Sequence, residues 1–228
     1  EYSLQRLNEV KKEIEALPGK THQVKIPPQV YLWLGIKLFD ARDYSSAVNY
    51  LDLATTPSHP AATQAVVWKH LGQARLHTGD YKNAIKAFDF YLATRQPSTN
   101  RARVLHDKGI ALLALGRHDE ADQAAEDGLT LQPQSRVYGM LCLLWGEVAL
   151  RQKHYEEAIQ RLVKPTYAIE DEQITPQALL KSAHAHEQLE QGEKAAELRA
   201  RLKDKFPGYK ESSLFPEPST DAQAGTSP

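Results

Sequence analysis

Glycine recurs at positions 35, 72, 109 and 146, a fixed interval of 37 residues. Each time it lies inside an apolar helical pattern, where it costs roughly 1 kcal/mol against alanine. Ala183 stands one interval later, and a second series, Ala47, Ala84, Ala121, Ala158 and Ala195, follows each of these positions by 12 residues. Ten small residues at two fixed phases describe a chain built by repetition. The physical reading is a set of two-helix hairpins whose helices cross closely at the small residues, because a side chain larger than methyl would force them apart. Close packing then offsets the local cost of glycine.

The rest of the repeating unit follows from that interval. Tyr31, Trp68 and Leu105, and less strongly Cys142 and Leu179, precede the small residue by four and share its helical face. Short polar turns, "RDY" at 42–44, "GDY" at 79–81, "GRH" at 116–118 and "KHY" at 153–155, separate the two helices. Pro60, Pro97, Pro133 and Pro207 follow the second helices, where a missing amide and a ring clash stop a helix. This combination resembles the tetratricopeptide repeat, W-x2-L-G-x2-Y, then A-x3-F, then P, over about four fifths of the chain. The resemblance implies an all-α fold, a right-handed superhelical solenoid of antiparallel helix hairpins in which each hairpin contacts mainly its neighbours. Five hairpins are expected over 28–208, preceded by a half repeat or capping helix at 1–17 and followed by an extended low-complexity tail at 209–228.

Several positions depart from the family pattern. The usual period is about 34 residues, so three extra residues per unit should lengthen the connections or the helices. Arg75 and Lys108 stand where apolar residues are expected, and Ala125 and Gly128 replace larger residues of the third unit's second helix. Pro165 is expected to interrupt the fourth unit's second helix early, leaving "PTYAIEDEQITP" as a loop of about ten residues. The fourth-to-fifth junction is therefore the expected place of loose packing.

Charge and composition narrow the function. Lys plus Arg number 28 against 29 for Asp plus Glu, which disfavours phosphate-driven nucleic-acid binding. Helical repeats that read RNA use repeated side chains at fixed positions, and this sequence varies there. Cys142 is the single cysteine, expected to be a packed and inert thiol. No run approaches the ~20 apolar residues of a membrane span. The chain starts at Glu1 without Met, which suggests upstream processing or trimming. The compartment stays open, with a lean toward the bacterial periplasm or envelope over the cytoplasm.

The two ends differ in kind. In "SLQRLNEVKKEIEAL", Leu4, Leu7, Val10, Ile14 and Leu17 form one apolar stripe. Extending the 37-residue interval backwards puts Val10 at the alanine phase, so the segment reads as the second helix of a preceding unit, the alternative being a dedicated cap. "PEPSTDAQAGTSP" is too poor in large apolar residues to pack by itself and would lean on the solenoid or on a neighbouring chain.

No constellation of catalytic residues is present. Nothing resembles a nucleophile elbow, a phosphate loop or a zinc-protease helix, so the expectation is a protein that is not an enzyme and carries no cofactor. Among nine histidines, His184 and His186 are two apart and diverge on a helix, whereas His70, His77 and His106 are a conceivable surface cluster. They read as groove residues, not as metal ligands.

What the resemblance implies is binding, with the first helix of each hairpin lining a concave face that takes a protein partner as an extended peptide or helix. Counting from the glycine phase, the groove positions are Leu32, Ile36, Phe39 and Asp40; Lys69, Gln73, Leu76 and His77; Arg103, His106, Ile110 and Leu113; Leu143, Glu147, Leu150 and Arg151; and Leu180, His184 and Glu187. An apolar stripe among them is a partner-site candidate, and Phe39 and Arg103 are its expected hot spots. Chaperone-binding members of the family clamp a partner's carboxyl terminus with Lys and Asn, then Asn, Lys and Arg. Here those places hold Lys69 and Gln73, then Arg103, with Asp107 in place of the final Arg, so the clamp is degenerate. The expected function is a scaffold or adaptor. The alternatives are an envelope assembly or secretion factor, an accessory domain of a longer enzyme chain, and an RNA-binding repeat.

Overall fold

The computed structural model describes residues 9, 12, 13, 16, 28–55 and 65–209. Among the described residues there are ten helices and no strand. The chain divides into two compact units, Glu1–Thr94 and Arg95–Pro228. In the first, α1 (Pro28–Asp40) pairs with α2 (Tyr44–Ala54), and α3 (Ala65–His77) with α4 (Tyr81–Leu92). In the second, α5 (Ser98–Ala114) pairs with α6 (His118–Thr130), α7 (Ser135–Arg151) with α8 (Tyr155–Tyr167), and α9 (Ile174–Gln188) with α10 (Gly192–Lys205).

Every hairpin turns in the same way. Arg42, Gly79, Gly116, Lys153 and Glu190, again 37 apart, take left-handed backbone with φ of 62°, 81°, 70°, 62° and 59°. The next amide in each case reaches back five residues, Asp43 to Leu38, Asp80 to Arg75, Arg117 to Leu112, His154 to Ala149 and Gln191 to His186, all at 2.9 Å. This is the Schellman arrangement, which satisfies carbonyls the helix end would otherwise leave open. Asp43 and Asp80 then cap α2 and α4 by accepting from Ser46 N and Asn83 N. Because the turn within each hairpin is always three residues long, the extra residues of the long repeat go into first helices of up to 17 residues and into the connections between hairpins.

The glycines do not face the alanines, as the sequence suggested. A Cβ on Gly35 would lie 2.6 Å from Leu51 Cγ, one on Gly72 2.5 Å from Phe88 Cε1, and one on Gly146 2.5 Å from Leu162 Cγ. Each partner stands four residues after the alanine. The small residue thus makes room for a large side chain of the second helix, while Ala47, Ala84 and Ala158 are fully buried beside it. In the third hairpin that partner position is Ala125, and Leu144 of α7 fills the space against Gly109 instead. Gly128 likewise receives Leu141, whose Cδ2 would lie 2.7 Å from an added Cβ.

Pro165 does not end α8. It is buried inside a helix that runs on to Tyr167, and the connection to α9 is six residues, 168–173. That junction is tightly bonded. Asp171 Oδ1 accepts from Gln173 N at 2.9 Å and Ile174 N at 3.0 Å, Thr175 Oγ1 donates to Ile169 O at 2.5 Å, and Arg136 reaches Asp171 and Gln173 from α7. Gly139 lets Ile169 and Ile174 pack against α7. Arg75 is accounted for by a 2.6 Å ion pair with Asp52 across α3 and α2. Cys142 is buried, and burial pushes its thiol pKa up, as an inert cysteine requires. Of the amino-terminal segment, Glu9, Lys12 and Glu13 are helical and exposed. Leu4, Leu7, Val10, Ile14, Leu17, Pro60 and the tail from residue 210 lie outside the described residues.

Candidate binding surface

The helix starts and turns above set the first helices side by side within each unit, and the groove positions fall on them unequally. In the first unit they carry a cluster of rings. Phe39, at the end of α1, stands edge-on to Tyr44 (5.4 Å between centroids) and to His70 (5.5 Å), and 6.2 Å from His77. His77 stacks on Tyr44 at 4.1 Å and 11°. Phe39, Tyr44 and His70 are half-buried and His77 is exposed, so the cluster is locked by its own contacts yet reaches the surface. Such preorganised aromatic area suits a binding anchor. Leu32, Ile36, Lys69 and Gln73 lie half-buried on the same helices. His70 Nδ1 is 2.8 Å from Val66 O, and its pKa is lowered, chiefly by burial and also by Lys69, against the opposing effects of the Val66 carbonyl and Asp40.

Tyr44 and His70 are the members the groove count missed. Tyr44 is the aromatic that ends the "RDY" turn, and the turn's three-residue length is what brings it over His77. His70, two before Gly72, points to the preceding hairpin, a direction visible only once the helices are packed.

The second unit offers less apolar surface than the stripe suggested. Leu113, Leu143, Leu150 and Leu180 are buried, with Leu143 packed among Leu162, Ile174 and Ala178, and Leu150 among Ala149, Ala158 and Ala185. Ile110 is the exposed apolar position at 37%. The polar groove residues hold one another. Glu147 accepts from Lys181 Nζ at 3.1 Å and Arg151 Nη2 at 3.3 Å, and Glu187 from Arg199 Nε at 2.8 Å. Asp107 is buried, with His106 Nδ1 at 3.0 Å and Arg103 Nε at 3.6 Å. A partner carboxylate approaching Arg103 would meet that charge, in line with a degenerate clamp. His184 is half-buried. Among the described residues no three His, Cys, Asp or Glu side chains are placed to hold a metal ion, and no helix is long and apolar enough to cross a membrane.

Comparison with known proteins agrees with this geometry. Residues 63–134 match the tetratricopeptide repeat family model. No curated protein matches the chain by sequence. Solved structures that resemble it include a MamA crystal structure (17% identity, 83% of this chain and 98% of that one, TM-score 0.63) and MamA 41-end from Desulfovibrio magneticus RS-1 (17%, 81% and 97%, TM-score 0.67). YrrB, described as a TPR protein with an unusual peptide-binding site, is similar at 16% identity over 78% of this chain and 86% of its own, with a TM-score of 0.57. With five hairpins on one 37-residue interval, a family match over residues 63–134 in their midst and the same fold in these solved structures, the chain has the fold of a tetratricopeptide repeat array.

Proposed function

We propose that the protein is a noncatalytic scaffold that binds a partner protein, as an extended peptide or helix, on the first helices of its hairpins. The observation that carries this reading is the Phe39, Tyr44, His70 and His77 cluster, whose rings are fixed by one another while part of their surface stays open. Truncating such an anchor commonly costs ~2 kcal/mol of binding, since the rings are already ordered before the partner arrives. The peptide-binding site named for YrrB supports the same use of the fold. In the second unit the exposed groove residues Ile110 and Arg103 would supply secondary contacts. The test is affinity capture on the tagged protein with mass spectrometry, repeated with Phe39→Ala and with Arg103→Ala. The expected result is loss of at least one partner with Phe39→Ala at unchanged helicity. Retention of every partner by both variants would remove the basis for this site.

A further inference from the structure

Three aromatic rings of the second unit carry a cation. Arg161 Cζ lies 4.3 Å from the centre of the Trp145 ring, Lys164 Nζ 4.9 Å from that of Tyr138, and Arg201 Cζ 4.9 Å from that of Tyr167. The negative face of an aromatic ring attracts such a charge, most strongly where water is partly excluded. At Trp145 carboxylates complete the arrangement, since Arg161 also pairs with Asp122 and Glu157. Ring face and carboxylate together hold one guanidinium.

The Phe39 cluster of the first unit has the same parts and no cation over it. No described lysine or arginine lies over the rings of Phe39, Tyr44 or His77. One face of the His77 ring is stacked on Tyr44 and the residue is exposed, so the rest of its ring meets solvent. Asp40, next to Phe39 at the end of α1, is exposed and makes no ion pair among the described residues. Its charge is felt at the His70 ring, which places it beside the cluster. Because α1 ends at Asp40 and α3 at His77, the cluster also sits at the negative ends of two helices. Lys69 acts on His70 too, but it precedes His77 by eight residues, about 12 Å along α3, and so stands away from the exposed ring. His70 itself adds no charge at neutral pH, because burial lowers its pKa.

We propose that this end of the groove is a receptor for an arginine side chain of the partner, whose guanidinium stacks on the open His77 and Phe39 surface and pairs with Asp40. The proposal rests on the reading of the cluster as the partner's anchor and adds what that partner must present. Arginine fits better than lysine, because its planar guanidinium matches a flat ring and a two-oxygen carboxylate at once. An acidic or purely apolar anchor would cover Asp40 without a counter-charge, which is costly. The partner segment is therefore basic at the point where it meets α1 and α3.

The probe is a random peptide library displayed on phage and selected on the immobilised full chain, with peptides that bind Phe39→Ala equally well discarded. The expected result is that the remaining peptides share an arginine. Replacing that arginine by citrulline, which keeps the shape and loses the charge, should weaken binding at least tenfold. Asp40→Asn should weaken the arginine peptide at least tenfold and leave the citrulline peptide unchanged, at the helicity of the parent, since Asp40 is exposed. Peptides that need Phe39 but carry no arginine, that bind as tightly with citrulline, or that tolerate Asp40→Asn overturn the arginine receptor and leave the anchor site standing. Failure to select any Phe39-dependent peptide overturns both.

Discussion

Leu144 of the fourth hairpin fills the space against Gly109 of the third, a place that Leu51, Phe88 and Leu162 fill from within their own hairpins. The third hairpin lacks a large residue there because its position is Ala125. Leu144→Ala should therefore destabilise the second unit by about 2–5 kcal/mol, the range for truncating a buried leucine. Adding Ala125→Leu should recover part of that loss, because it restores the arrangement of the other hairpins, while Ala125→Leu alone should overpack. Urea unfolding of the two single variants and the double variant forms the cycle, and simple additivity would contradict the shared space.

The left-handed turn residues differ in how well they suit their backbone. Gly79 and Gly116 adopt it freely, whereas Arg42, Lys153 and Glu190 bring a Cβ into a conformation that costs non-glycine residues about 1–2 kcal/mol. After allowing for the greater freedom of glycine in the unfolded chain, Lys153→Gly should stabilise by about 0.5 kcal/mol. Gly79→Ala should destabilise by about 1 kcal/mol. Melting curves of the two variants should move in opposite directions.

Arg161 ties three helices of the second unit together. Its guanidinium lies 4.3 Å over the Trp145 ring, donates to Trp145 O at 3.0 Å, and pairs with Asp122 at 2.5 Å and Glu157 at 2.6 Å. The side chain is only 9% exposed, so its pair with Asp122 is little screened, while the one with the more exposed Glu157 is screened more. Arg161→Ala should cost about 3 kcal/mol, and Arg161→Lys a substantial part of it, because an ammonium cannot reproduce the planar fork. Denaturant midpoints measure both, and a Lys variant as stable as the parent would contradict the role of the fork.

His70 makes the first unit sensitive to acid. Its pKa in the folded chain lies below 6.5, chiefly through burial, so the unfolded state binds more protons at mildly acidic pH. This contribution to stability is complete above about pH 7 and falls as pH drops below 6.5 and through the folded value. His70→Asn should flatten that part of the profile. Melting temperatures from pH 8 to pH 5 provide the check.

Periodicity along the chain determined the helices, their pairing into hairpins, the turn positions and the presence of five units, because each depends on residues a few places apart. Small residues at one phase and turn residues at another carry that information directly. What tertiary structure decided was the identity of the neighbours. Gly35 marks a close contact in the sequence, but only packing shows that Leu51, and not Ala47, occupies it. Pro165 breaks a helix by local rules, yet it is buried in a helix that continues, since contacts of α8 with its neighbours outweigh one missing bond. The apolar groove residues Leu113, Leu143 and Leu150 became core for the same reason. A helix face is shared between the inner surface and the seam with the next hairpin, and the division between them is set by how closely hairpins stack. Spacing along one chain specifies which side of a helix a residue occupies; only the approach of the neighbouring helix determines whether that side meets solvent.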